Sequence, residues 1–505
     1  MSYRIRAKKL IFKYGPLVLV LLVGLFVWVR VFSTAVSHYL DSSVWKGRGV
    51  WLGPGVTPGE FELFGITIPY QLEGYTDYSF FYVHWGHNIL RGVLPYGEDF
   101  GHIVIDGVEN NNGLYIFPPY SALFYGLGIL FPVDNWGIGL LIAICGYLAV
   151  LPIYGIATEL SSNRHVGEIA ALTYLLNPLT LYHTTYLWTN TAPFIFSFFL
   201  GYYLLLRNHK YLGTFCFVTA ALFKQTAWFL GFPLIIHLLL RPRLVSADKD
   251  PELEPIAAES ENSFMDDLIE RIDFLGFAKN ALLACIYAAI VLLPFYLAQP
   301  QMIAFLLLAA GGFPLESFTE PPSYGQPMRL QVLPVVADMP ELAMLLDSIV
   351  SSGALLWFGV VVFVGLMLIE PKDEGRVQHY LGRVLFLTML MMFWVHLMGP
   401  RGVFKYYFTL FVPFFSIFSS ASMIQQCGEH VNVSLSMLWF PFVASLLILI
   451  PPRNIYFVFV LLILFCYLLV GPIGKIWRGF TSTIRRFVPQ SILITCRRIS
   501  MNRGK

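Results

Sequence analysis

The chain has 505 residues, 57% of them hydrophobic and only 13% charged, with a mean hydropathy of +0.66. A charged share about half the usual one excludes a soluble enzyme and a disordered tail. A net charge of +2 with no basic patch excludes a nucleic-acid partner. What remains is an all-α polytopic membrane protein.

From the N-terminus, Arg4, Arg6, Lys8, Lys9 and Lys13 precede the first apolar run. That run, 14–37, is too long for a signal-peptide core and has no clear cleavage site, so it reads as a retained anchor. Further apolar runs at 136–158, 167–183, 190–206, 211–224, 226–240, 279–298, 352–370, 383–399, 405–424, 433–451 and 455–474 bring the expectation to about twelve transmembrane helices. The tail carries Lys475, Arg478, Arg485, Arg486, Arg497, Arg498, Arg503 and Lys505. The positive-inside rule places both ends in the cytoplasm.

One apolar stretch, 114–132, is ambiguous. If it spans, every later loop flips and the basic tail lands outside. If it does not, most positive charges lie inside, among them Arg164, Arg207, Lys210, Arg241, Arg243, Lys372 and Arg376. The second arrangement fits the charge rule far better. The stretch is therefore predicted to be a re-entrant or interfacial element, its Pro118-Pro119 backbone buried by protein.

This topology divides the chain into four parts. Residues 1–240 form a first membrane module with the long outside loop 38–135. Residues 241–278 form an acidic cytoplasmic loop whose end, Phe264 to Phe277, is amphipathic. Residues 279–474 form a second membrane module with outside loop 299–351, and 475–505 the basic tail. The six cysteines fall in predicted spans or on the cytoplasmic side, with neither metal-ligand nor disulfide spacing.

The first outside loop carries the chemistry. Residues 75–99 read YTDYSFFYVHWGHNILRGVLPYGED. On a regular α-helix Asp77, His84, Asn88 and Arg91 share one face, flanked by His87. Phe80, Val83 and Leu90 oppose them, with Phe81, Tyr82 and Trp85 at the borders. A carboxylate heading such a stripe beside the bilayer can serve as a general base. Histidine and arginine on the same face can bind a phosphate. Asp77 reads equally as a helix-capping acid, and His84 and His87 as interfacial packing residues.

Taken together, several landmarks resemble a known family. They are an Asp early in the first outside loop, an aromatic helix, Gly92-x-x-Pro95-Tyr96, and then Tyr115-x-x-Pro118-Pro119. Asn177-Pro178 ends the third span, Lys224-Gln225-Thr226 lies between the fifth and sixth, and Arg401, Lys405 and Tyr406 follow a late span. In order and spacing these resemble polytopic glycosyltransferases of the C superfamily, above all the polyprenol-phosphate-mannose-dependent group (family 87 and related protein mannosyltransferases). The resemblance covers most of 1–300 and touches 395–415. It implies an inverting transferase that takes a sugar, mannose or another hexose, from a polyprenyl- or dolichyl-phosphate at the outer or lumenal face. The acceptor would be a hydroxyl of a glycan, glycolipid or protein. Asp77 would be the base.

The sequence departs from this pattern in the next outside loop, HTTYLWTNT. There Asn190 stands where many relatives have a second acid. Hard cations want carboxylate oxygens, so no metal and no separate cofactor are expected. Donor-binding candidates are His84, His87, Arg91, Tyr96, Lys224, Gln225, His396, Arg401, Lys405 and Tyr406. Charges beside apolar spans are costly and placed for a reason, although Arg401 and Lys405 can also be snorkelling residues. Tyr406 and Tyr407 also read as interface-belt aromatics.

The competing reading of the layout is a transporter or lipid flippase, which would show paired repeats and acids buried mid-span. A non-catalytic assembly subunit is a further alternative. Under every reading the chain is a multi-pass integral membrane protein, of the cell membrane or the endoplasmic reticulum.

Overall fold

Long apolar runs can satisfy their backbone groups in lipid only as helices, and this chain is mostly helical. The computed structural model describes residues 2–41, 59–63, 65–70, 77–105, 108–111, 115–240, 269, 271–303, 306, 341, 354–368, 377–398, 405–427 and 430–433. All belong to the unit Met1–Asn454. The expected span 455–474, all but the first residue of 433–451, the basic tail, and most of 241–278 and 299–351 lie outside the described residues.

Helix α1 (Ser2–Asp41) contains the apolar stretch Tyr14–Leu40. Two further stretches, Gly137–Ser161 and Phe274–Ala298, are also long and apolar enough to cross a membrane. Each has 25 residues, or about 37 Å at ~1.5 Å per residue, against a hydrocarbon core of ~30 Å. Six shorter apolar helices accompany them: Ala192–Leu206, Lys210–Phe223, Thr226–Leu239, Ala354–Leu368, Tyr380–His396 and Tyr406–Ser420. The chain is an integral membrane protein.

The described parts of loop 38–135 are more ordered than its polar, Gly-rich composition suggests. Strands β1 (Gly59–Leu63) and β2 (Ile66–Tyr70) form one antiparallel hairpin, and β3 (His102–Ile105) and β4 (Val108–Asn111) form another. Between them, a π-helical turn over Tyr78–Tyr82 runs into helix α2 (Val83–Leu90).

The ambiguous stretch becomes helix α3 (Pro119–Ile129). Pro118 is extended and Pro119 opens the helix, where its missing N–H costs nothing. Its 11 residues extend about 16 Å, half a bilayer core. It packs on protein, with Pro119, Ser121, Ala122, Tyr125, Gly126 and Gly128 buried. α2 and α3 approach closely because both present glycine. A Cβ at Gly86 would lie 2.9 Å from the Tyr125 carbonyl, and one at Gly126 2.6 Å from the Ile89 side chain.

Helices α4 (Gly137–Leu148) and α5 (Val150–Ser161) follow α3 and are succeeded by α6 (Arg164–Leu175). The expected span 167–183 is in fact two pieces. α6 stops before Asn177-Pro178, since the residue before proline is driven out of the α region. Asn177 Oδ1 accepts from the Leu179 N–H at 3.0 Å, and a second π-helical turn follows at Thr180–Tyr186.

Helix α7 (Ala192–Leu206) packs on α8 (Lys210–Phe223). The chain breaks at Lys224, extended at φ −155° and ψ 137°, before α9 (Thr226–Leu230) and α10 (Phe232–Leu239). A β-bridge between Leu240 and Ile272 brings together the two ends of the acidic loop, and Asp273 then caps α11 (Phe274–Ala298) by accepting from Gly276 N–H at 3.0 Å. Later elements are α12 (Ala354–Leu368), α13 (Val377–Met398), a 3-10 turn (Lys405–Leu410) and α14 (Phe411–Met423). Strands Ile424–Cys427 and His430–Val433 form a third hairpin.

Candidate active site

The candidate site lies where the loop carrying Asp77 approaches the break at Lys224. Tyr78, Tyr82, Val83 and Trp85 are buried, so the aromatic face of this segment packs into protein and does not lie on lipid. Tyr82 stacks on Tyr125 of α3 with centroids 4.7 Å apart, and Trp85 meets Tyr115 edge-on at 5.0 Å. Tyr78 donates to the Asn135 carbonyl at 2.7 Å, accepts from Gly139 N–H at 3.0 Å and lies against Trp188 at 4.7 Å. This packing fixes the π turn, and with it Asp77 at its head.

Asp77 is half-buried and makes no capping hydrogen bond, so a helix-capping role does not account for it. Burial pushes its carboxyl up to about 6, against an opposing pull from Lys224. Tyr82, Tyr125 and Tyr406 feel its charge.

Lys224 is 5% exposed. Its ammonium donates to Asn190 Oδ1 at 3.1 Å. It lies 5.1 Å from the Tyr407 ring centroid, 5.3 Å from Tyr406, 5.8 Å from Phe194 and 5.9 Å from Phe117. Ring faces attract a cation within about 6 Å, most strongly where water is excluded. An extended residue between two helices can send its side chain inward, which explains why this cation lies in the protein interior.

The sequence candidates separate into groups. Lys224 lies against the Tyr406 ring, and the Asp77 carboxyl feels the Lys224 charge. His396 joins at the edge: it is buried, bonds the Met392 carbonyl through Nδ1 at 2.7 Å, and packs 5.1 Å from Tyr407. Gln225 supports the site from behind by donating from Nε2 to the Ile116 carbonyl.

Tyr96 is a fully buried strut. Its hydroxyl donates to the Phe117 carbonyl at 2.9 Å, and its backbone pairs with Gln299 and Gln301 at 2.8 and 2.7 Å. It thereby ties the loop after α2 to the residues that follow α11.

His84, His87 and Arg91 are placed elsewhere, which corrects the expectation of one polar face containing Asp77. The π turn winds more residues per turn than an α-helix, so Asp77 rotates inward relative to the others. His87 Nε2 pairs with Asn135 Oδ1 at 2.9 Å, and Arg91 is exposed. His84 is held down to about 4 by burial, then by His87 and Arg91. Arg401 lies outside the described residues, as does the side chain of Lys405, whose backbone opens the 3-10 turn.

Four residues escaped the sequence reading as site members. Tyr82 and Tyr125 were ordinary aromatics, Tyr407 was an interface residue, and Asn190 entered only as a missing acid. Asn190 is also 3.1 Å from the Tyr125 hydroxyl through Nδ2. Among the described residues, no group of three or more His, Cys, Asp or Glu could hold a metal ion.

In comparison with known proteins, residues 118–250 match the family model of dolichyl-phosphate-mannose-protein mannosyltransferases. The matched segment contains α3, Asn190 and Lys224. No curated protein sequence matches the chain. Among solved structures it is similar to the oligosaccharyltransferase of Archaeoglobus fulgidus in its apo form, with 13% identity and a TM-score of 0.40. The same values hold for the archaeal enzyme in complex with an inhibitory peptide and a dolichol-phosphate. Each match covers 88% of this chain and 56% of the other, so the chain spans just over half the length of those enzymes.

Proposed function

We propose that the chain is an inverting glycosyltransferase that moves mannose or another hexose from a polyprenyl- or dolichyl-phosphate to an acceptor hydroxyl. The reaction takes place at the outer or lumenal face, in a multi-pass chain of about twelve spans with both ends in the cytoplasm. The acceptor is a protein, glycolipid or glycan, and the membrane is the cell membrane or the endoplasmic reticulum. The observation that carries this reading is the buried, aromatic-walled Lys224 ammonium whose charge the Asp77 carboxyl feels.

In the step itself, Asp77 takes the proton of the acceptor hydroxyl. The hydroxyl oxygen attacks the anomeric carbon from the side opposite the phosphate. The bond from that carbon to the phosphate oxygen breaks, and its electron pair leaves on the lipid phosphate beside the Lys224 ammonium. The proton ends on Asp77. A base with a pKa near 6 is well matched to neutral pH, being ionised yet still basic.

A buried ammonium supplies the charge that a leaving phosphate needs, so the reading invokes no metal. Tyr406, Tyr407 and Phe117 offer faces to the sugar and the first isoprene units.

The test is donor consumption, followed by mass spectrometry, in membranes supplied with polyprenyl-phosphate sugars. Asp77→Asn should lower turnover by about 10²–10⁴-fold, the range typical of a lost general base. Lys224→Gln should mainly weaken donor use. Equal turnover in wild type and Asp77→Asn removes Asp77 as the base. No consumption of any such donor by wild type removes the reading.

A further inference from the structure

The side chain at position 190 joins Lys224 to Tyr125, and its hydrogen-bond polarity is determined by chemistry. Lysine ammonium only donates. The atom of Asn190 facing Lys224 at 3.1 Å is therefore the amide oxygen. This orients the amide, so its NH₂ group faces Tyr125 and donates to that hydroxyl at 3.1 Å. The Tyr125 oxygen accepts this bond, and its own proton must point elsewhere. Ser121, whose own proton goes to the Phe223 carbonyl at 2.6 Å, offers its Oγ as the acceptor for it.

Position 190 is rigid enough to impose this order. Asn190 is 8% exposed, and it follows Thr189, whose hydroxyl donates to the His183 carbonyl at 3.0 Å. Thr191, the next residue, bonds Thr409 at 2.8 Å. Thr409 spends its single proton on the Tyr406 carbonyl at 2.7 Å, so Thr191 is the donor between them. The segment 189–191 thus holds Lys224 with one side chain and, with the next, the turn carrying Tyr406 and Tyr407.

We propose that Asn190 is a positioning residue for the transfer assigned above: anchored on Tyr125 through its NH₂ group, it aims the Lys224 ammonium at the donor phosphate. This rests on the glycosyltransferase reading. The amide accepts from Lys224 and donates to Tyr125 at once, which an ionised carboxylate of the same shape cannot do. A carboxylate has no proton to give, so it would pull the Tyr125 proton onto itself and compete with the phosphate for Lys224.

Asn190→Asp, Asn190→Ala and Tyr125→Phe in the full chain, reconstituted in lipid nanodiscs, test this. The measurements are donor KM and kcat, the pH profile of kcat/KM, binding of sugar-free polyprenyl phosphate, and the melting temperature. Asn190→Asp should raise donor KM and weaken polyprenyl-phosphate binding by about tenfold. It should also move the acid limb to higher pH, because a second carboxylate opposes ionisation of Asp77. Asn190→Ala should raise KM without moving the limb upward, and Tyr125→Phe, which removes the anchor of the amide, should raise KM more than it lowers kcat.

A structural role alone would lower the melting temperature of Asn190→Asp and Asn190→Ala alike and leave the limb in place, and that result overturns the proposal. So does wild-type KM and limb in Asn190→Asp while the parent binds polyprenyl phosphate normally. If the parent neither binds polyprenyl phosphate nor consumes a donor, the glycosyltransferase reading falls first and takes this proposal with it.

Discussion

The segment from Asp77 to Arg91 has two ends that differ in almost everything except their sequence neighbourhood. At the first, Asp77 heads a π turn among buried tyrosines and senses Lys224. At the second, Arg91 lies exposed at the end of α2, beyond the partly buried His84 and His87. On an ideal α-helix both ends would share one face. The π turn between them changes the pitch and separates Asp77 from Arg91. A local change of helical pitch thus decides which polar residues become chemistry and which remain surface. π turns often mark functional sites, and this chain has a second at Thr180–Tyr186, leading into the Asn190 segment.

Restoring regular pitch is the strongest way to break that contrast. Deleting Ser79, the smallest residue of the turn, should rotate Asp77 by about one α-helical residue step, roughly 100°. Donor turnover should fall at least a hundredfold in protein that still elutes as a single folded species. Near-normal turnover in such protein would show that the pitch change is not what places Asp77.

The next effect concerns stability. Burial raises the Asp77 carboxyl from 3.8 to about 6. A group whose folded pKa is raised contributes stability that is present below about pH 4 and lost as pH rises through 6. The ionised form therefore costs about 3 kcal/mol at neutral pH, at ~1.4 kcal/mol per unit. Asp77→Asn should melt several degrees higher than wild type at pH 8, with the gap closing toward pH 4. An unchanged or lower melting temperature at pH 8 would mean that Asp77 is not under burial strain.

The smallest effect belongs to the outer end. His84→Gln and Arg91→Ala should leave donor KM and kcat within about twofold. A tenfold loss in either would return these residues to the site.

How far the sequence disclosed this depended on range. Asp77 and Lys224 were legible because each is a charge that apolar surroundings make conspicuous. The expectation that 114–132 does not cross rested on charge counting and on Pro118-Pro119; within it, α3 has 11 residues, against about 20 for a span. The pairing of Asn190 with Lys224 and Tyr125 was not legible. It joins residues 34 and 65 positions apart through tertiary packing alone.

The π turns have no residue signature. They come from Tyr78 and Tyr82 finding partners in α3, α4 and Trp188, not from local preference. The two hairpins of the first loop did leave signs that composition obscured. Phe61, Leu63, Ile66 and Ile68 alternate around Gly65, whose φ of +76° suits a residue without Cβ. Asp106-Gly107 separates β3 from β4 with a favoured two-residue hairpin sequence.

The most direct test of the pairing between Asp77 and Lys224 is the pH dependence of donor turnover in wild type and Lys224→Gln. Lys224 lowers the Asp77 pKa against the upward push of burial. Wild-type kcat/KM should therefore lose activity below a limb near pH 6, and Lys224→Gln should shift that limb upward, on the order of one unit. A limb that stays in place when Lys224 loses its charge, or no limb between pH 5 and 8, would contradict the account.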